Sequence, residues 1–239
     1  MNPFASILKQ YPYRTELHTH TSPVSACSKV TAPRVVALYH QFGCDALTIT
    51  NHLNPLWMEG DPKERAREYL LDYELACEAA EGTGMRILFG VEIRFPENAN
   101  DYLVYGVCPD DVEHFIRLLP YGIETFYKEA KTERNVILQA HPFRSNMELA
   151  PLTAIDGIES MNLHQRHNSK IAVATRYAKE HDLLVSGGSD FHQEIDLGLC
   201  VARTQQPLTD SYDIARIIQN RELILDMSGT VVIPYLYQI

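Results

Sequence analysis

Short apolar runs rich in β-branched and aromatic residues recur along the chain, and longer segments with helical spacing of apolar positions separate them. Seven runs are predicted to be strands: residues 13–17, 47–50, 87–91, 102–105, 136–140, 155–162 and 183–186. Helices are predicted over residues 31–43, 62–81, 123–132 and 169–181, and Asp210 is expected to cap a last one. Alternation at this spacing predicts parallel strands covered by helices.

The 239 residues contain no linker rich in glycine, proline or serine, so we expect a single domain over residues 1–239. Its core is predicted to span about residues 13–200, and residues 201–239 are expected to form a C-terminal helix and an extension. Apolar residues at 231–233 and 235–237 could pack beneath the fold or form a contact between copies. A homo-oligomer therefore stays open.

Charge and cysteine usage narrow the class of protein. The net charge is −10, from 21 basic and 31 acidic side chains, which disfavours non-specific binding to nucleic acid. No run of about 18 apolar residues is present, so no membrane span is expected. The first ten residues lack the pattern of a signal peptide, and the five cysteines are scattered. We therefore predict a cytoplasmic protein with reduced thiols.

Residues of metal-ligand type follow five of the predicted strands. They are His18 and His20, His52, Glu92, His141, and Asp190 with His192. Each one alone has an ordinary structural interpretation, such as a turn former or a polar residue at a strand end. The carboxyl ends of parallel strands share one face, however, so all seven are expected to converge. Seven nitrogen and oxygen ligands exceed the needs of one tetrahedral ion, so a bridging Glu92 or Asp190 would serve two ions.

Five motifs together resemble those of the PHP (polymerase and histidinol phosphatase) family. They are residues 16–20, 50–52, 90–93, 139–144 and 188–192. The resemblance covers about residues 13–200. It implies a distorted seven-stranded (β/α) barrel, with two or three divalent ions of manganese, iron or zinc at the carboxyl ends of the strands.

The resemblance also implies how the ligands are shared among the ions. The first ion would take four ligands: His18, His20, Glu92 and Asp190. His52 and His192 would serve the second ion or the shared cluster. Glu92 and His141 would face a third ion.

Three positions depart from the family pattern. Asn51 stands where the family usually has an acid, which predicts weaker support for a neighbouring ligand. Cys27 lies nearest to the place where many members have a further ligand, and its thiolate could bind zinc or the residue could be structural. Cys108 follows the fourth strand, where phosphatase members tend to have a histidine, which predicts a weak or empty third site.

A second group of residues is expected to contact the substrate. Arg144 could bind phosphate oxygens through its planar guanidinium or form a salt bridge, and it is predicted with Glu92 to be catalytic. His167 or Arg166 could reach the substrate or lie in a solvated loop.

The sequence predicts a hydrolase acting on phosphoric ester bonds. It would hydrolyse a small phosphate ester with a metal-activated water at a di- or trinuclear site. One alternative is a nuclease or nucleotide phosphoesterase that accepts a short oligonucleotide. The other is a catalytically weakened metal-binding module, which Asn51 and the missing histidine near Cys108 motivate.

Overall fold

The computed structural model describes residues 3–235. Its α-helices are α1 (Pro3–Gln10), α2 (Ala32–Phe42), α3 (Pro62–Ala80), α4 (Val112–Leu118), α5 (Gly122–Ala130), α6 (Ile171–Glu180) and α7 (Ser211–Gln219). Its strands are β1 (Tyr13–Glu16), β2 (Ala46–Ile49), β3 (His52–Leu53), β4 (Arg86–Phe89), β5 (Val91–Arg94), β6 (Asp101–Tyr105), β7 (Val136–Gln139), β8 (Gly157–Asn162), β9 (Leu184–Gly188), β10 (Val201–Thr204), β11 (Ile224–Met227) and β12 (Thr230–Val232).

The strands form two mixed six-stranded sheets. The first has the order β12-β11-β10-β1-β2-β4, and the second has the order β3-β5-β6-β7-β8-β9. Strands β1, β2 and β4 are parallel, as are β7, β8 and β9, whereas β6 runs antiparallel to both β5 and β7. An α/β fold is therefore present. The predicted seven-stranded barrel is not confirmed, because the ladders within residues 3–235 form two separate sheets.

The predicted third strand is divided between the sheets at Gly90. Phe89 ends β4 beside β2, and Val91 begins β5 beside β3 and β6. A Cβ atom on Gly90 would lie 2.9 Å from Thr50 Cγ2, so this crossing point has no room for a side chain. The crossing carries the chain directly from one sheet into the other.

Both faces of the second sheet are covered. On β6, Tyr102 and Val104 pack with residues of α3, α4, α5 and α6. Leu103 and Tyr105, which point the other way, pack with residues of both sheets and of α7. With both faces buried, the polar residues at the strand ends are left to form a site at one end of the fold.

Helix termini largely follow the predicted signals. Helix α2 has Thr31 at its N-cap and ends at Gly43, whose φ of 83° favours glycine. Asp210 caps α7 by accepting a hydrogen bond from the amide of Asp213. Helix α6 starts at Ile171, two residues later than predicted, because Lys170 adopts a left-handed conformation with a φ of 47°.

The C-terminal segment contributes more than the expected helix and extension. Strands β10, β11 and β12 extend the first sheet beyond β1: β10 pairs antiparallel with β1, β11 with β10, and β12 with β11. Of the apolar residues offered for a contact between copies, Leu236 and Tyr237 lie outside the described residues. Within residues 3–235, no helix is both long and apolar enough to cross a bilayer.

Candidate metal centre

Glu92 lies at the middle of a cluster of imidazoles. It pairs with His52 across the parallel strands β3 and β5. One carboxylate oxygen, Oε1, lies 3.2 Å from both His18 Nε2 and His141 Nε2. The other, Oε2, lies 3.1 Å from His20 Nε2 and 2.9 Å from His52 Nδ1. The Glu92 carboxylate therefore lies between two pairs of imidazole nitrogens, in the position of a bridging ligand.

Asp190 reaches the cluster from the opposite sheet edge, just after β9. Its Oδ1 lies 3.4 Å from His18 Nε2 and 3.3 Å from His20 Nε2. Its Oδ2 accepts a hydrogen bond of 2.6 Å from Arg144 Nη2. The two oxygens of Asp190 thus have different partners: Oδ1 faces the imidazoles, and Oδ2 binds the guanidinium of Arg144.

Four overlapping groups of side chains have ligand atoms within 4.8 Å of one another. They are His18 with His20 and Glu92, His20 with His52 and His192, His52 with Glu92 and Asp101, and His164 with Asp190 and His192. The groups share His20, His52, Glu92 and His192. Among the four shared residues, Glu92 alone offers two oxygens and can bind two ions at once, so the overlap suits neighbouring ions with Glu92 between them.

Glu159 contacts two of the histidines in the cluster and restricts their orientation. Its Oε1 lies 2.8 Å from His18 Nδ1, and its Oε2 accepts a hydrogen bond from the amide of His141 at 3.2 Å. His141 has a φ of 31°, a conformation that costs free energy unless its surroundings hold it. The carboxylate directs the Nδ1 hydrogen of His18 toward itself, so that Nε2 faces the cluster.

The donor chemistry of the cluster fits divalent ions. Glu92 Oε2 is buried without a hydrogen-bond partner among the described residues, although two imidazole nitrogens lie close to it. His18 Nε2 and His20 Nε2 face each other at 3.0 Å. When the imidazoles are neutral, lone pairs that converge in this way form a set of ligands for a cation.

Buried charges in the cluster set its protonation in the absence of an ion. Burial alone would lower the pKa of His18, but three carboxylates, led by that of Glu159, raise it well above its ordinary value. Burial alone would raise the pKa of Glu92, but His18 and His52 hold it well below its ordinary value. A divalent ion would therefore take the place of a proton that His18 otherwise keeps.

A cavity of about 830 Å³ opens over the cluster. Its walls include Cys27, Trp57, Arg94, Arg144 and His167. The volume is in the range of sites for small organic ligands and is far larger than a phosphate group needs. His167, a predicted substrate contact, is exposed on this wall, and its ring lies 4.7 Å from that of His164.

No protein-family model and no curated protein sequence matches the chain. Several solved structures resemble it, and three of them have 18% sequence identity to it. A two-domain protein from Bacteroides vulgatus, which contains a domain predicted to be a PHP-like metal-dependent phosphoesterase, aligns with a TM-score of 0.62 over 89% of this chain and 64% of that protein. PsfC from Pseudomonas syringae aligns with a TM-score of 0.63 over 85% of this chain and 87% of PsfC.

The third structure is a protein from Bifidobacterium adolescentis, described as a candidate metal-dependent phosphoesterase. It aligns with a TM-score of 0.50 over 87% of this chain and 96% of that protein, at 18% identity. The fold of the chain is thus like that of structures described as metal-dependent phosphoesterases, one of them as PHP-like. The chain spans 64% of the length of the Bacteroides vulgatus protein.

Asp101 is a member of the cluster that the sequence analysis missed. It begins β6, and because β6 is antiparallel to its neighbours, its first residue lies at the same end as the last residues of the parallel strands. Arg94, its partner across the β5–β6 ladder, donates hydrogen bonds to both of its oxygens. The six residues between Arg94 and Asp101 are too few for a crossover between parallel strands, so the sequence already indicated that β6 is antiparallel to β5.

The antiparallel direction of β6 also corrects the prediction about Cys108. Cys108 follows β6 at the opposite end of the PHP-like fold, where its amide donates a hydrogen bond to Asp111. It therefore does not stand in place of a histidine ligand. Among the described residues, it is Asp101, and not Cys108, that joins His52 and Glu92 in a group of potential ligands.

Asn51 has a structural role beside the cluster. Its Oδ1 accepts a hydrogen bond from the amide of Thr21, and its Nδ2 donates one to Thr21 Oγ1, both at 2.7 Å. The Thr21 hydroxyl in turn donates to Asp72 Oδ2 at 2.9 Å. Asn51 thus holds the loop that follows His20, and its neutral amide supplies a donor that a carboxylate would lack.

Proposed function

We propose that this protein is a metal-dependent phosphoesterase that hydrolyses a small phosphate ester at a di- or trinuclear centre. The observation that carries the proposal is the position of Glu92, whose two oxygens each face two imidazole nitrogens within 3.2 Å. The likeness of the fold to structures described as phosphoesterases supports it. Manganese, iron and zinc are the ions that the donor set suits.

The proposed ligands are the seven residues predicted from sequence together with Asp101: His18, His20, His52, Glu92, Asp101, His141, Asp190 and His192. When bound, divalent ions would lower the pKa of a water molecule and offset the negative charge of a phosphoryl group. The carboxylates at the floor of the cavity are only 0–2% exposed, so they would hold the ions in a setting from which bulk water is largely excluded.

Arg144 is proposed to position the phosphoryl group from the cavity wall. Its Nη2 donates to Asp190 Oδ2, and its Nε donates to Ser169 Oγ at 3.2 Å. These contacts fix the plane of the guanidinium while the group still lines the cavity. A fixed guanidinium suits phosphate oxygens because its orientation does not have to be restricted on binding.

Hydrolysis of a generic phosphate monoester before and after metal removal tests the proposal. The metal-free protein should be inactive and should regain activity with manganese or zinc. A His18→Ala/His20→Ala variant should lose both bound metal and hydrolysis. A His40→Ala/His114→Ala variant is the matched control, because both of those imidazoles are exposed on helices. Full activity in the His18→Ala/His20→Ala variant would refute the proposal.

A cleavage assay with a short single-stranded oligonucleotide distinguishes the alternative substrate class. The net charge of −10 opposes the binding of a long nucleic acid. We therefore expect faster turnover of the small monoester. A protein that binds metal and turns over neither substrate would fit a metal-binding module instead.

A further inference from the structure

Cys27 lies on the cavity wall within reach of the imidazole cluster. Its Sγ is 3.1 Å from Nε2 of His192, and it also interacts with the ring of His52. The Nδ1 atom of His192 lies 2.9 Å from the backbone carbonyl of Asp190, which can only accept a hydrogen bond. The ring hydrogen of a neutral His192 is therefore on Nδ1, and the lone pair on Nε2 points at the thiol.

The two imidazoles that Cys27 touches belong to one group with His20. Ligand nitrogens of His20, His52 and His192 lie within 4.8 Å of one another. The His20 ring centroid lies 4.3 Å from that of His52 and 4.4 Å from that of His192. Three imidazoles thus surround one small region at the base of the cavity, and the Cys27 thiol lies beside two of them, those of His52 and His192.

A second observation independently identifies this region as a ligand site. Glu92 Oε2 is fully buried and has no hydrogen-bond partner among the described residues. It lies 2.9 Å from His52 Nδ1 and 3.1 Å from His20 Nε2, so it points into the same region. A buried anionic oxygen whose nearest polar neighbours are imidazole nitrogens needs a positive charge beside it, and a divalent ion would supply that charge.

The loop that carries Cys27 is held against the ligands on both sides. The hydroxyl of Ser28 lies 3.0 Å from the carbonyl of His20, and the amide of Lys29 donates to the carbonyl of His192 at 2.9 Å. Ser25 accepts a hydrogen bond from the amide of His52 at 2.9 Å. The position of Cys27 is thus tied to the backbones of all three histidines.

We propose that the Cys27 thiolate is a ligand of the ion held by His20, His52 and His192, and that it makes this position selective for Zn²⁺, Co²⁺ or Fe²⁺ over Mn²⁺ and Mg²⁺. On binding, the thiol proton passes to solvent and a sulfur–metal bond forms. Thiolate and imidazole ligands suit the softer ions, whereas Mn²⁺ and Mg²⁺ favour oxygen ligands. The inference rests on the metal centre of the proposed function but not on its reaction.

Absorption of the Co²⁺-loaded full-length protein tests the inference. A thiolate ligand gives a sulfur-to-cobalt charge-transfer band in the near ultraviolet. We expect this band in the wild type and its loss in Cys27→Ser. Cys108→Ser is the matched control, since that half-buried thiol lies at the other end of the fold and should leave the band intact.

Metal affinity gives a second reading on the same variants. Zn²⁺ affinity at this position should fall by about 10- to 100-fold in Cys27→Ser. Cys27→Asp should restore binding without the band and shift the preference toward Mn²⁺, because it offers an oxygen ligand. Since Cys27 is exposed, both variants are expected to fold.

The outcomes separate this inference from the proposed function. A band in the Co²⁺-loaded wild type that survives in Cys27→Ser overturns the inference, as does bound Co²⁺ without any band. Phosphate ester hydrolysis without the band would leave the proposed function standing and remove the thiolate ligand. The band without phosphate ester hydrolysis would support the thiolate ligand and contradict the proposed function.

Discussion

Glu159 Oε1 lies 2.8 Å from Nδ1 of His18, and both side chains are fully buried. This contact fixes which nitrogen of His18 faces the cluster. The same carboxylate accepts hydrogen bonds from the amide of His141 and from Asn162 Nδ2 at 2.8 Å. One side chain beneath the candidate centre therefore controls the placement of two proposed ligands.

Replacement of Glu159 by glutamine should weaken metal binding without unfolding the protein. The amide keeps the shape of the side chain but removes the charge that makes His18 a stronger base. We expect metal affinity and kcat/KM to fall by about 10- to 100-fold. Calorimetric titration of the metal-free protein measures the first quantity. Glu129→Gln, a change at a half-exposed glutamate of α5, is the control. Unchanged affinity in Glu159→Gln would contradict this role.

Asn51→Asp should destabilise the protein rather than restore a stronger site. The new carboxylate would face the Thr21 hydroxyl, which already donates to Asp72, so the donor from Asn51 would be lost and two buried carboxylates would compete. We expect a loss of about 1–3 kcal/mol in the free energy of unfolding. Denaturant unfolding measures it.

Asn98→Asp provides the matched control for that substitution. Asn98 uses only its carbonyl oxygen, as an acceptor for the amide of Asn100. A carboxylate can replace it there, so stability should be nearly unchanged. If Asn51→Asp were equally neutral and raised the activity, the structural role assigned to Asn51 would be wrong.

Gly188→Ala should displace His18. A Cβ at this position would lie 2.5 Å from His18 Cβ and 3.1 Å from its amide nitrogen. Overpacking of this kind costs about 1–3 kcal/mol, and here the strain falls on a proposed ligand. We expect a lower melting temperature together with weaker metal binding.

Gly187→Ala separates the two effects of that substitution. Its Cβ would lie 2.9 Å from Leu225 Cδ1 and from Met161 Cβ, so it is also crowded, but its nearest contacts are with Leu225 and Met161 and not with His18. It should lower the melting temperature while leaving metal affinity near that of the wild type. Equal loss of metal by both variants would indicate a general effect of unfolding.

The sequence was sufficient to predict that most of the proposed ligands lie close together. His141 follows the apolar run 136–138, and Asp190 and His192 follow the run 183–185, as is typical of strands buried on both faces. His18 and His20 follow β1, which is mostly polar, and their spacing of two residues was the signal there. The direction of each strand was inferred from alternation with helices, and that rule holds for β1, β2, β7, β8 and β9.

The rule fails where a short connection joins two strands. Between Arg94 and Asp101 there is no helix, so β6 returns antiparallel, and its start rather than its end faces the cluster. Because of this reversal, Asp101 lies in the cluster and Cys108 lies at the other end of the fold. The predicted third strand is divided at Gly90, where Thr50 and Tyr105 leave no room for a side chain. No local sequence pattern indicates such contacts.

Glu159 was missed for a different reason. It lies in β8, where every residue is buried although half of them are polar, so the local sequence did not distinguish a buried acid from an exposed one. Its partner His18 is 141 residues away in the chain. Pairings of this kind follow from the fold and could not be read from spacing.

The central claim is that Glu92 bridges ions that are needed for hydrolysis, and the most direct measurement is the bound metal per chain in Glu92→Gln beside its hydrolysis of a phosphate monoester. The amide conserves shape but cannot serve as an anionic bridge. We predict that the wild type holds at least two ions, that Glu92→Gln loses at least one of them, and that turnover falls by about 100-fold or more, comparable to the removal of other charged groups that stabilise a transition state. A Glu92→Gln protein that retained both its full metal content and wild-type turnover would contradict the claim.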